Sequence, residues 1–144
     1  MSVLLGLDVG DVRIGVAISD ILGSGAHPLC TLTRTNRQRD VTAIGDLVSI
    51  HNVERIIIGL PVSLDGTLGT QAEKVQQFGS RLSKTLGITV EYFDERFTTS
   101  EAEEILDLVE IDTKNRKNII DQVSAVIILD EYMQGNSTDS QDEE

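Results

Sequence analysis

Three carboxylates stand where an α/β chain would present reactive groups. Asp8 interrupts Val3-Leu4-Leu5-Gly6-Leu7-Asp8-Val9, an otherwise apolar run that reads as a buried strand. A carboxylate there is costly unless a cation or several donors meet it, which favours metal binding. A turn-forming Asp satisfied by the amides of Gly10 and Asp11 is the structural alternative. Asp94-Glu95-Arg96 directly follows the fifth expected strand, and taken alone it reads as a solvated turn in which Arg96 pairs with one acid. Asp121 falls in the first turn expected of the last helix, where negative charge complements the helix dipole. Together the three acids form an oxygen-only donor set of the kind hard divalent cations prefer. The matching chemistry is phosphodiester hydrolysis with one or two Mg²⁺ or Mn²⁺ ions, which orient a water, lower its pKa and stabilise the departing oxygen. Such a site needs no histidine base. His27 and His51 have no second His or Cys at ligand spacing, and the lone Cys30, in a short apolar stretch, reads as a buried structural thiol.

The elements that must hold these acids follow from periodicity. Residues 3–9 and 13–19 are expected to form strands joined by the Gly10-Asp11 turn, and Pro28 to Leu32 a shorter third strand at an edge. From Asn36 the spacing of Val41, Ile44, Leu47, Val48 and His51 predicts an amphipathic helix with Arg37, Arg39, Asp40 and Asp46 on its wet side. Arg55 to Leu60 is a β-branched strand ended by Pro61, followed by a loop to Gly69. Thr70 to Leu86 forms a helix on Val75, Phe78, Leu82 and Leu86 with Gly87 as its stop, and Ile88 to Phe93 is the fifth strand. Ser100 and Glu103 have capping-box spacing and start a helix to about Val109. After a polar connector, Ile120, Val123, Ile127 and the surrounding apolar residues imply extensive burial of a last helix that Gly135 ends. The expectation is a single α/β domain over residues 1–135, with a mixed five-stranded sheet of three antiparallel and two parallel strands. An acidic disordered tail follows over 136–144.

Composition agrees with that architecture and sets one obstacle. Apolar residues are 40% of the 144 and aromatics 3%, so the core must be aliphatic. No apolar run is long enough to span a membrane and the first residues have no basic leader, so the expected location is the cytoplasm. A net charge of −12 opposes simple electrostatic binding of nucleic acid. Setting aside Asp139, Asp142, Glu143 and Glu144 leaves about −8, and two basic clusters remain: Arg34, Arg37 and Arg39, and Lys114, Arg116 and Lys117. Charge location, rather than net charge, then governs binding.

Gly6-Leu7-Asp8-Val9-Gly10, Arg13-Ile14-Gly15-Val16-Ala17 with Ser19-Asp20, Gly59-Leu60-Pro61, Asp94-Glu95-Arg96 with Thr98-Thr99, and Asp121-Gln122 with Ala125 resemble the YqgF family, also called RuvX. The resemblance runs in order from residue 3 to about 133. It implies a ribonuclease H-like fold related to Holliday-junction resolvases, and an activity on the 5′ end of pre-16S rRNA. By position it implies that Asp8, Glu95 and Asp121 are the catalytic metal ligands, with Asp94 as the alternative to Glu95. Related resolvases carry their second acid at the fourth strand, where this chain reads Gly59-Leu60-Pro61, so their mechanism does not transfer unchanged. Arg13 and Arg96 are candidates for pairing with the acids or touching phosphate, and Lys114, Arg116 and Lys117 for tracking a nucleic-acid backbone.

Other readings remain at this point. Branched DNA is the alternative substrate to RNA, and a resolvase would favour a dimer where the rRNA reading allows a monomer or weak homodimer. A ribosome-assembly module without activity would keep the fold, although all three acids are present. Asp8-x-Gly10 also resembles the phosphate loop of sugar kinases and actin-like ATPases, which need two such domains. Ser63, Asp65, Gly66, Gly69 and Thr70 could cradle phosphate or form an ordinary turn. The Walker-like spacing of Gly10 and Gly15 is followed by Val16-Ala17, which excludes a P-loop.

Overall fold

Alternating side chains on the first strand demand cover on both of its faces, and the chain supplies it from two directions. The computed structural model describes residues 3–22, 24–61, 69–94 and 113–142, with side chains of the last helix over 119–135. Strands β1 (Val3–Val9), β2 (Arg13–Ser19) and β3 (Ala26–Thr33) pair antiparallel in sequence order. β4 (Val53–Leu60) and β5 (Thr89–Asp94) lie on the other side of β1 and parallel to it, giving the order β3-β2-β1-β4-β5. This is the expected mixed five-stranded sheet. β3 is longer than expected, and Pro28 is accommodated on this edge strand beside a register shift, where its missing N–H costs no central ladder bond.

Helices α1 (Arg37–His51) and α2 (Thr70–Leu86) cover one face. Val41, Ile44, Val75, Phe78 and Leu82 pack there against Leu5, Leu7, Val9, Ile56 and Ile58. Asn36 caps α1 by accepting the Arg39 amide at 2.9 Å, and left-handed Gly87, at φ 65°, ends α2. The opposite face takes α3 (Thr113–Asp142), whose Ala125, Ile128, Leu129 and Tyr132 pack on Ala17 and Ile57. Ile56, Ile57 and Ile58 are all fully buried because β4 is sandwiched between both layers.

Six expectations need correction. Asp40 is buried on α1 instead of wet, because Arg34 Nε donates to its Oδ2 at 3.1 Å and the Thr35 amide to its Oδ1 at 3.1 Å. Cys30 is half-buried on β3 instead of fully enclosed. The last helix starts at Thr113, so Lys114, Arg116 and Lys117 belong to its backbone rather than to a connector; Lys and Arg are good helix formers. Asp121 consequently lies more than two turns into the helix, and the dipole explanation for it lapses. At the far end Gly135 does not stop α3, which continues to Asp142. Among the described glycines only Gly87 has the positive φ of a left-handed cap, and a helical Gly costs about 1 kcal/mol without ending a helix. Finally, Ile120, Val123 and Ile127 are half-buried flanks, since close approach to two sheet glycines turns the side bearing Ala125 and Leu129 inward. The helix expected from Ser100 and the loop over 62–68 lie outside the described residues.

Candidate active site

Two glycines determine how α3 meets the sheet. A Cβ at Gly6 would lie 2.8 Å from Leu129 Cβ and 3.1 Å from the Ala125 carbonyl oxygen, so β1 passes directly beneath the helix. A Cβ at Gly15 would collide with the Asp121 carbonyl and lie 2.9 Å from Asp121 Cβ. Gly15 is also the cross-strand partner of Asp8, a spacing of about 5 Å between Cα atoms in an antiparallel ladder. Because side chains alternate along a strand, Asp8 shares the α3 face with Gly6. Asp121 is therefore seated over the residue that faces Asp8.

Arg13, two residues before Gly15 on the same face, donates from Nε to Asp121 Oδ2 at 2.7 Å. The pair is partly exposed, at 31% and 20% of the side-chain surface. Beside it Gln122 Nε2 donates to Thr31 Oγ1 at 2.9 Å, and Thr31 is the next residue in the row across Gly15. The Gly10 amide donates to the Arg13 carbonyl at 2.9 Å, so the hairpin turn spends it on strand closure instead of on Asp8. The edge of the site is thus fixed by backbone bonds.

Of the other expected site residues, Glu95 and Arg96 lie outside the described residues, as do the side chains of Lys114, Arg116 and Lys117. Asp94 ends β5. Phe93 packs with the α3 cluster and Glu91 accepts from Tyr132 of α3, so alternation aims Asp94 at the opposite face from Asp8. Among the described residues no group of three or more His, Cys, Asp or Glu side chains is gathered closely enough to hold a metal ion. Asp8 and Asp121 are the two described contributors to the proposed donor set.

Arg34 belongs by sequence to one of the two basic clusters, and the structure gives it a structural task. Its Nη1 donates to the Gly10 carbonyl at 2.9 Å, its Nε to Asp40, and its guanidinium stacks 5.0 Å from the centre of the Phe78 ring. It ties the hairpin beside Asp8 to α1 and α2. A second cluster, Arg55 with Tyr132 and Glu91, joins β4 and β5 to α3: Arg55 Nη1 lies 3.1 Å from Tyr132 Oη and 3.2 Å from Glu91. The Gly15 contact was missed in sequence because glycine spacing there was weighed only as phosphate chemistry. Gly-x-Ala on the strand preceding a small-residue helix face is the signal that could have found it.

A mixed sheet in the order β3-β2-β1-β4-β5 with helices on both faces is the ribonuclease H-like fold. The chain covers 97% of a Thermus thermophilus RuvC chain solved with a Holliday junction substrate, over 96% of its own length, at a TM-score of 0.61 and 11% identity, which establishes the shared fold. The RuvX family, described as Holliday junction resolvase, matches residues 2–135, and the chain belongs to that family. Relatives from Syntrophus aciditrophicus and Heliobacterium modesticaldum, each described as "Putative pre-16S rRNA nuclease", are 46% and 42% identical over 130 residues, or 90% of this chain and 87% of theirs. It is a nuclease of this family. No described helix is long and apolar enough to cross a membrane.

Proposed function

We propose that this protein is a cytoplasmic, Mg²⁺- or Mn²⁺-dependent endonuclease that processes the 5′ region of pre-16S rRNA, acting as a monomer or weak homodimer. The observation that carries the reading is the seating of Asp121 on Gly15, opposite Asp8, which gathers two acids from elements far apart in sequence onto one face. Their chemistry suits a hard divalent cation, and the Arg13 guanidinium already attracted to Asp121 supports a cationic occupant there. Asp8, Asp121 and Glu95 would hold the metal. Glu95 is preferred to Asp94 because Asp94 aims away from Asp8. When bound, the ion supplies Lewis-acid activation of water and charge stabilisation at phosphate.

The chain's own residues do the rest. β1 and α3 hold Asp8 and Asp121 in fixed relation, so the acids need no rearrangement to act together. Arg13 neutralises Asp121 when no substrate is present and is placed to shift to a phosphate oxygen when one arrives. Arg96, Lys114, Arg116 and Lys117 would track the strand beyond the cut. The descriptions of the curated relatives favour pre-16S rRNA as substrate; the family description favours branched DNA as the second reading. Incubating the protein with a pre-16S rRNA fragment and a synthetic four-way junction in parallel, with Mg²⁺, Mn²⁺ or chelator, decides between them. The expected result is metal-dependent cutting of the RNA. Cutting of the junction alone would establish the second reading, and undiminished cutting in chelator would remove the metal.

A further inference from the structure

On the face opposite α3, a groove of about 590 Å³ runs along α2 beside the start of α1. It joins a second hollow of about 320 Å³ through Arg37 and Gln77, which line both. The second hollow is lined by Val9 and Asp11, so the groove reaches the end of β1 that carries Asp8, on the opposite face of the sheet. Lys74, Arg81 and Lys84 line it from α2 at positions i, i+7 and i+10, a single stripe that rises about 15 Å. Arg37 faces them from α1.

Arg37, Arg81 and Lys84 are exposed, and none forms an ion pair among the described residues. Lys74 reaches Asp11 only at 3.9 Å, with both side chains largely in solvent. The acids lining the groove are Asp11 and Glu73, so cations predominate locally in a chain whose net charge is −12. Gln76, Ser80 and Thr85 add uncharged donors. The one aromatic ring lining it, Phe78, is buried beneath Arg34 and offers no stacking platform for a base.

From this arrangement we propose that the α1–α2 groove is a second nucleic-acid site, which carries the phosphate backbone of a single strand flanking the cut, without reading its bases. The identity of the ligand rests on the nuclease function; the groove itself does not depend on the metal site. It explains how an acidic protein holds a polyanion: the attraction is concentrated in a stripe leading from the catalytic edge around the sheet. An acidic protein partner would also be drawn to cations. The groove reaches, from the other face, the same end of β1 that carries Asp8, and its row of cations suits the regular charge spacing of a phosphate backbone, which favours the substrate strand.

The test is fluorescence anisotropy in chelator, so that no cutting is required, with two RNA probes: a blunt stem, and the same stem with a 20-nucleotide single-stranded extension. The variant carries Arg37→Ala, Arg81→Ala and Lys84→Ala, all at exposed positions. Losing three phosphate contacts should flatten the salt slope for the extended probe by about 2, so that its advantage at 50 mM over 200 mM salt shrinks about 20-fold. The blunt stem should bind both proteins alike, and changing the extension from poly-U to poly-A should alter neither result. Equal affinity and slope for wild type and variant on the extended probe overturn the proposal. So does unchanged RNA binding with lost binding of poly-glutamate, which would assign the groove to an acidic protein. A failure of metal-dependent cleavage would strike the catalytic reading and leave these binding outcomes readable.

Discussion

Gly15→Ala is the most demanding substitution for this account because it adds one methyl group where the structure leaves no room. The new Cβ would meet the Asp121 carbonyl oxygen well inside the 3.0 Å that real contacts respect, and would lie 2.9 Å from Asp121 Cβ. Both are parts of the helix backbone or its first side-chain atom, so no rotamer change relieves the clash. α3 must retreat by about 1 Å or more, and interiors this closely packed accommodate such a shift at about 1–3 kcal/mol. A displacement of that size between reacting groups costs on the order of 100-fold in rate. Cleavage rate and Tm should be measured together, with Gly25→Ala as control, since nothing lies within 4 Å of a Cβ there. The expected outcome is a loss of about 100-fold in rate with a Tm lower by several degrees. Wild-type rate and stability in Gly15→Ala would refute the claim that α3 is seated on β2 at this point.

Three further outcomes follow from particular contacts. Arg34→Ala strands the buried Asp40 carboxylate and should cost about 3 kcal/mol, or about 10 °C in Tm, whereas Arg39→Ala, at an exposed side chain with no ion pair among the described residues, should change stability by less than about 0.5 kcal/mol; equal effects would deny Arg34 its tying role. Burial pushes the Cys30 thiol above its ordinary pKa of 9.0, so its alkylation by iodoacetamide at pH 8 should be slower than that of glutathione, and an equal rate would show an open, unshifted thiol. Asp20 is held below its ordinary pKa by hydrogen bonds from the Ser24 hydroxyl and amide; its contribution is complete above the unfolded value of 3.8 and is lost as pH falls through the lower folded value. The Ser24 amide should therefore lose protection below that pH in wild type and show no such transition in Asp20→Asn.

The strands were legible because their signals are local. Ile56-Ile57-Ile58 between Arg55 and Pro61 has no alternative to a doubly covered strand, and Gly87 after an amphipathic run marks the end of α2. The last helix was harder to bound because Lys114, Asn115, Arg116 and Lys117 are polar yet compatible with helix, and because Gly135 ends a helix only when tertiary structure gives it a left-handed φ. Its burial is legible in the apolar run from Ile120 to Leu129, but which side is innermost is set by a partner surface of glycine: Gly6 and Gly15 accept backbone and Ala125 where a Val or Ile face would hold the helix farther away. Asp40 and Arg34 show a second limit. Spacing places Asp40 on the wet side and Arg34 in a basic cluster, and only the fold reveals that each is the other's partner. For the site, Asp8 was identifiable from the cost of an acid in an apolar strand, while Asp121 needed the resemblance, because its relation to Asp8 is made across two elements.

The central claim is that Asp8 and Asp121 jointly hold a divalent cation that the nuclease requires. It is tested most directly by titrating Mn²⁺ into the wild type, Asp8→Asn and Asp121→Asn by electron paramagnetic resonance, with cleavage and Tm measured on the same samples. Each substitution should weaken Mn²⁺ binding at least about 10-fold and abolish cleavage. Asp8→Asn should keep or slightly raise Tm by easing repulsion between the acids. Asp121→Asn should lower it slightly, because the partly exposed Arg13 loses a pair worth less than about 1 kcal/mol. Undiminished Mn²⁺ affinity and cleavage in Asp8→Asn, or loss of cleavage only in proportion to unfolding, would contradict the account and return Asp8 to the role of a structural turn residue.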